Sequence, residues 1–272
     1  MTLLIPSPPQ PRFWTISRLA GVAILAAMLV FAFAPLVASG ADPYRQTLRL
    51  ALQPPGAADL FGYDHLGRSM HARLAAALRL SLGLALLSAL TAMVPGTLLG
   101  ILAAWRGGLT DRAFSLLAEA MLALPGLLMV LMLTAILPGE PAMLYLGISL
   151  VLWVEFFRLA RALARPVLSS SAVEAARLLG FGPWHLLSRH LWPAMAPMML
   201  TVTAYSTATA IMAIAALGFV SVGVRPPTPE LGAMMIELLP YYEEAPHALL
   251  QPIAGIFLMV LSLQLIAGKE RP

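Results

Sequence analysis

The sequence has no cysteine and little charge: of its 272 residues, 11% are Asp, Glu, Lys or Arg. Without cysteine there is no disulfide framework, no thiolate metal site and no cysteine nucleophile. Soluble globular domains carry about 25% charged residues, so this chain cannot have a mostly wet surface. The phosphate-loop pattern G-x-x-x-x-G-K-[ST] is absent too, because Gly268-Lys269 lacks both the upstream glycine and the following hydroxyl. None of the five histidines forms H-E-x-x-H. His185 and His190 are five apart and fall off one helical face, while His65 and His71 sit in a polar segment and are expected to be solvated. No glycine-flanked serine has an evident base partner. These absences argue against a hydrolase or a metal site, and no cofactor is expected on this chain.

What fills the sequence instead is hydrocarbon: 60% of the residues are hydrophobic and mean hydropathy is +0.83. A helix needs about 20 mostly apolar residues to cross about 30 Å of bilayer. Runs that meet this are Leu19–Val37, Leu80–Trp105, Ala120–Pro138, Leu191–Val224 and Ala248–Gly268. Ala142–Phe157 joins them despite Glu155, because a hairpin at Pro138-Gly-Glu-Pro141 would return the chain through the membrane. The expectation is an all-α polytopic protein with six transmembrane helices. Its stretches are a short 1–18 end, a first helix over 19–39, an outer loop over 40–79, a five-helix core over 80–268 and a short 269–272 end. The first run is too long for a signal-peptide core and reads as a retained helix.

Net charge is +4 with pI near 9.8, and in a membrane protein that excess marks cytoplasmic loops rather than a nucleic-acid surface. With the N-terminus inside, Arg12, Arg18, Arg106, Arg112, Arg158, Arg161, Arg165, Arg177, Arg189, Lys269 and Arg271 are cytoplasmic. Arg45, Arg49, Arg68, Arg73, Arg79 and Arg225 are outside, a split of 11 to 6 that puts both termini in the cytoplasm. The outer arginines from Arg68 to Arg79 weaken the contrast, and an interfacial amphipathic helix within 40–79 would account for them.

The cytoplasmic connection, 165–193, is the most informative. Ser171-Ala-Val-Glu174 has capping-box spacing, with each side chain satisfying a free backbone N–H at a helix start. Gly180-Phe-Gly182-Pro183 breaks that helix, and Pro183 suits the first position of a second one with Trp184, Leu187 and Leu191 as its apolar stripe. The expected unit is a rigid helix–turn–helix knob ending at Pro193. A plain connector, in which Glu174 only caps and the glycines only turn, fits the periodicity equally well.

Ionisable residues inside membrane segments are functional candidates. Glu119 lies about two helical turns from the inner end of its span, where a structural or interfacial role is open to it, and it is also a candidate translocation or gating residue. Glu155 is three residues from Arg158, so an i,i+3 ion pair explains it structurally.

The loop Glu174-Ala175-Ala176-x3-Gly180-x12-Pro193 resembles the E-A-A-x-x-x-G…L-P signature of binding-protein-dependent ABC importer permeases. Gly62-Tyr-Asp64-His-Leu-Gly67-Arg68-Ser-Met-His-Ala-Arg73 is similar to the G-T-D-x-x-G-R-D-x-x-S-R segment of the dipeptide/oligopeptide/nickel branch. Gly223-Val-Arg-Pro-Pro-Thr-Pro-Glu-Leu-Gly232 resembles that branch's G-V-x-P-P-T-P-x-W-G loop, and Asp111, Glu119 and Pro125 keep a third spacing. Trp192, Ala194, Ser69 and Leu116 depart from the usual residues. The match is narrowest to the second, C-type permease subunit, with a type I importer (MetI-like) permease fold.

The resemblance implies a multi-pass inner-membrane protein in a bacterial cell and a set of partners. These are a second homologous permease, two cytoplasmic ABC ATPases that hold the ATP and Mg, and an extracytoplasmic solute-binding protein. Glu174, Ala175, Ala176, Gly180 and Pro193 would belong to the element that couples to an ATPase, and Asp64 and Arg68 to translocation or gating. The solute would be a peptide, nickel or a metal chelate. A stand-alone secondary transporter or channel with Glu119 as relay is the alternative, and a membrane enzyme is disfavoured.

Overall fold

The computed structural model describes residues 15–38, 42–56 and 59–268. Arg12, Lys269 and Arg271 therefore lie outside the described residues. Among those described, every extended element is a helix, and the one β-type contact is an isolated bridge between Tyr63 and Ser69.

The long helices run alternately up and down. They are α1 (Ile16–Ala38), α2 (Met70–Arg106), the pair α3 (Gly108–Leu122) and α4 (Gly126–Ile136), α5 (Pro141–Leu168), α8 (Trp192–Phe219) and α10 (Pro246–Ala267). Between them lie α6 (Ser171–Leu178), α7 (Pro183–Leu186) and α9 (Leu231–Leu238). One end of the bundle carries α6 and α7 and is called the elbow end. The other carries residues 42–69 and α9 and is called the loop end. Arg18 Nη2 donates to the Gly268 carbonyl at 3.5 Å, so α1 begins and α10 finishes at the elbow end.

Five helices are long and apolar enough to cross a membrane singly, and α3 with α4 makes a sixth crossing if the bent pair counts as one. That pair differs from the straight run expected over Ala120–Pro138: the axes bend by 79° between Leu122 and Gly126. Pro125 is the cause, since it has no N–H to donate and disfavours helical geometry at Leu124.

The outer connection differs as well. Ser69 Oγ accepts from the Ala72 N–H at 3.2 Å and caps α2, so the helix begins at Met70. Arg73 and Arg79 thus occupy the opening turns of a 37-residue helix, not a separate interfacial helix. At 1.5 Å per residue α2 is about 56 Å long, which lets its first turns stand above the hydrocarbon.

Lipid tails are as apolar as leucine, so close packing rather than water exclusion holds such a bundle together. The α2–α5 contact shows how. A Cβ at Gly96 would lie 2.5 Å from the Trp153 carbonyl oxygen, and one at Gly100 the same distance from that of Phe157. This small-x-x-x-small step brings the two backbones together around Phe156 and Phe157, both fully buried.

Candidate functional site

The elbow is built from two caps. At its start the Ser170 Oγ accepts from the Val173 N–H at 3.4 Å, so Ser170 is the N-cap and Ser171 the first helical residue. The expected Ser171–Glu174 box is thus displaced by one position, and the exposed Glu174 carboxylate has no hydrogen bond or ion pair among the described residues. At the end of α6, Phe181 N–H donates to the Ala176 carbonyl at 3.1 Å and Gly180 N–H to that of Arg177 at 3.0 Å. This is a Schellman motif, which needs a left-handed residue after the cap. Gly180 supplies it with φ +80°. A Cβ there would meet nothing within 4 Å, so the backbone conformation, not crowding by this chain, calls for glycine.

Pro183 opens α7 as expected, with Gly182 as its cap. A wide turn over Leu187–Leu191 then runs straight into α8, so Pro193 sits in the first turn of a long helix instead of closing the knob. Val173, Ala176, Leu186 and Leu191 are buried and anchor the elbow, and the Arg177 guanidinium lies 5.4 Å over the Trp105 ring at the end of α2. The outward side is apolar: Leu178 is 85% exposed, Leu179 76% and Trp184 76%. Trp184 therefore faces away from the stripe predicted for it, and Leu186 takes its place inside. Of the residues singled out in the elbow, Glu174, Ala175 and Gly180 lie on the exposed side and Ala176 on the buried one.

The loop end gathers charge instead. Asp64 Oδ1 accepts from the N–H groups of Leu66 and Arg68, at 2.9 and 2.8 Å. Gly67, with φ +69°, completes the turn so close to residue 47 that a Cβ would overlap the Thr47 carbonyl. Asp64 Oδ2 pairs with Arg68 Nε at 2.5 Å and Arg73 Nη1 at 3.2 Å. Glu237 Oε2, arriving on α9, pairs with Arg68 Nη2 at 2.8 Å and Arg73 Nη2 at 2.7 Å. Asp64, Arg68 and Arg73 are each at most 3% exposed. Two cations and two anions thus form a neutral, buried clamp joining the loop, α2 and α9.

His65 and His71 are half-buried rather than free in solvent. His65 stacks on Tyr241 with ring centroids 5.2 Å apart, and His71 stacks on Phe61 at 5.7 Å. Burial lowers the His65 pKa from its ordinary value, against the opposing pull of Asp64. Ligand atoms of Asp64, His65 and Glu237 come within 4.8 Å of one another, but a metal ion there would have to displace both guanidiniums.

Two more charged features lie on α5. Asp111 at the start of α3 pairs with Arg161 and, at 2.7 Å, with Arg165 Nη2. Glu119 is exposed and borders a hollow of about 240 Å³ with Ser115, Phe157, Arg158 and Arg161. The expected Glu155–Arg158 pair does not form, because Arg158 turns toward that hollow. Glu155 Oε2 instead accepts from the Ser206 hydroxyl on α8 at 3.1 Å. The structure does not bring Glu119 and the Asp64–Arg68 clamp together: they belong to opposite halves of the molecule.

An all-helical bundle with an apolar elbow at one end and an ionic clamp at the other matches a known pattern. Residues 96–268 fit the family described as binding-protein-dependent transport system inner membrane component. The chain belongs to that family. It is 35% identical, over 99% of its length and 92% of the relative's, to the di/tripeptide transport system permease protein DppC of Pseudomonas aeruginosa. It is 31% identical to the glutathione transport system permease protein GsiD of Pectobacterium atrosepticum, over 80% of this chain and 72% of the relative. The dipeptide transport system permease protein DppC of Haemophilus influenzae is 30% identical over 98% of this chain and 94% of its own. The C-type resemblance read from the motifs is borne out, and with it the type I importer fold of a multi-pass inner-membrane permease. Clamp residues Arg73 and Glu237 were missed as partners. Their only signal was the run of matching charges in two connections.

Proposed function

We propose that this permease is the C-type membrane subunit of an ATP-driven importer for peptide-like solutes, as the names of its relatives suggest. The observation that carries the coupling is the elbow. An outward face holding Leu178, Leu179 and Trp184 on a capped, anchored pair of helices is a surface made for another protein. The occupant is an ABC ATPase, which supplies the nucleotide chemistry for which this chain has no phosphate loop. Glu174, Ala175 and Gly180 form the contact, Ala176 seats the helix on the bundle from its buried side, and Pro193 fixes where the elbow joins α8. A short capped helix passes nucleotide-driven movement on as a rigid-body push.

The elbow end, with both termini, is then cytoplasmic. Charge supports this: with the elbow end inside, lysine and arginine split 11 to 6 in favour of the cytoplasmic side. Facing the other compartment, the clamp ties α9 to the outer loop beneath the docking place of the solute-binding protein. There Asp64 and Arg68 hold the outer gate rather than touch solute. A second permease and a second ATPase complete the assembly, and this subunit acts as a conduit rather than an enzyme.

The test uses the complete importer in membrane vesicles. Gly180→Trp should reduce ATP-dependent uptake at least tenfold while subunit insertion stays normal, and Gly180→Asn, which tolerates left-handed backbone, should keep most of it. Full uptake with Gly180→Trp would defeat the coupling role.

A further inference from the structure

Glu155 stands at the middle of the bundle. Counted from Pro141 it is the fifteenth of the 28 residues in α5, and its partner Ser206 is the fifteenth of the 28 in α8. The two helices therefore meet at mid-span through a carboxylate and a hydroxyl. Ser206 is fully buried, yet Glu155 is exposed, and among the described residues no cation lies within 4.0 Å of it. Ser206 fixes Oε2 and leaves the other oxygen open.

The surroundings of this carboxylate are unlike the faces of the bundle that meet lipid. On α1 the exposed large side chains include Leu19, Val22, Val30 and Phe33, and on α2 they include Leu86, Leu90, Val94 and Leu98. From Glu155 toward the elbow the exposed line on α5 reads Glu155, Arg158, Ala162 and Arg165, at helical spacings of three and four, and the exposed leucines Leu146 and Leu150 lie on its loop-end side. α8 runs the opposite way, so from the same contact its exposed residues Tyr205, Thr209, Met212 and Ala216 continue on one face toward the loop end. Charged residues within spans face a bundle interior or a water-filled cavity, so this seam is not turned to lipid.

We propose that Glu155, seated by Ser206, faces the solute path at mid-membrane and receives the ammonium group of the passing solute. A single anionic oxygen with no protein cation suits a transient partner: it attracts a positive head without the second contact that would hold it. Arg158, one turn further toward the elbow, repels the same head and accepts the solute's carboxylate end in turn. The inference rests on the importer reading for what passes, but not for whether the seam is wet and anionic.

The absence of native cysteine makes the test direct, because Tyr205→Cys gives this subunit one thiol. In the complete importer, that thiol is treated with a cationic trimethylammonioethyl and an anionic sulfonatoethyl methanethiosulfonate, with Leu90→Cys as the lipid-facing control. The expected result is modification of Tyr205→Cys at least tenfold faster than Leu90→Cys, with the cationic reagent preferred. Adding Glu155→Gln should lower the cation-to-anion rate ratio at least threefold, and Glu155→Asp should preserve it. A Tyr205→Cys thiol as unreactive as the control, including one shielded against a second permease, would overturn the proposal. So would a charge ratio indifferent to Glu155→Gln. Loss of ATP-driven uptake in the unmodified assembly would count against the importer reading alone, since the thiol ratio decides the seam either way.

Discussion

The two ends of this permease solve opposite problems with opposite materials. At the elbow, the residues that matter most lie outside: Leu178, Leu179 and Trp184 are exposed, and Glu174 is unpaired among the described residues. At the loop end they lie inside: Asp64, Arg68 and Arg73 are buried and bonded to one another and to Glu237. An element meant to be gripped can be small and held by caps alone, because its outer face is completed by the partner. An element that must hold three segments of its own chain needs bonds of long sequence reach, and Arg73–Glu237 spans 164 positions.

The sharpest way to break this contrast is to remove one charge from each end. Glu237→Ala leaves Arg68 and Arg73 with one carboxylate between them in a buried site. Removing one partner of a buried pair costs about 3–5 kcal/mol, because an uncompensated charge stays behind. The thermal midpoint of the detergent-solubilised chain should fall markedly. Glu174→Ala, an exposed change with no partner lost, should stay within about 0.5 kcal/mol. Equal losses from the two variants would mean that the clamp does not hold the loop end.

A smaller effect tests what keeps the elbow stiff. Ser170→Ala removes the hydroxyl that accepts from Val173, and loss of an N-cap costs about 1 kcal/mol. Amide exchange across Ser171–Leu178 should speed up by a factor of about five, with α2 and α9 unchanged. If Ser171→Ala had the larger effect instead, the cap would lie one residue later, at the position the sequence pattern pointed to.

That one-residue shift illustrates what could be read from the chain beforehand. The crossings were legible because apolar runs of about 20 residues have few other uses. The elbow was legible because Gly180 and Pro183 each break a helix for a local backbone reason. Ser170 and Ser171 offer the same hydroxyl, and only geometry chooses between them. The bend at Pro125 was hidden because the residues around it are uniformly apolar, so hydropathy runs on across it. The clamp was hidden because its charges are far apart in the chain. Glu155 was misassigned for the converse reason: Arg158 lay at a suitable spacing, and the hydroxyl that binds it belongs to another helix.

The least disruptive probe separates the ends by pH. His65 lies in the clamp's turn, stacked on Tyr241, and burial lowers its pKa below the ordinary 6.5. The unfolded chain therefore takes up the His65 proton at a higher pH than the folded one. By linkage, stability from neutral His65 is fully present above pH 6.5 and declines as pH falls below it, levelling off once the folded state is protonated as well. Arg68 and Arg73 oppose the added charge, while Asp64 and Glu237 favour it, so the net loss is small. His65→Gln should flatten the decline in thermal midpoint between pH 6.5 and pH 5 and leave the value above pH 7.5 nearly unchanged. The elbow has two histidines of its own, His185 and His190, and the His185 ring stacks on Phe181 at 4.2 Å. If His185→Gln flattened the same decline and His65→Gln did not, the acid-sensitive end would be the elbow, and the clamp would be the sturdier of the two.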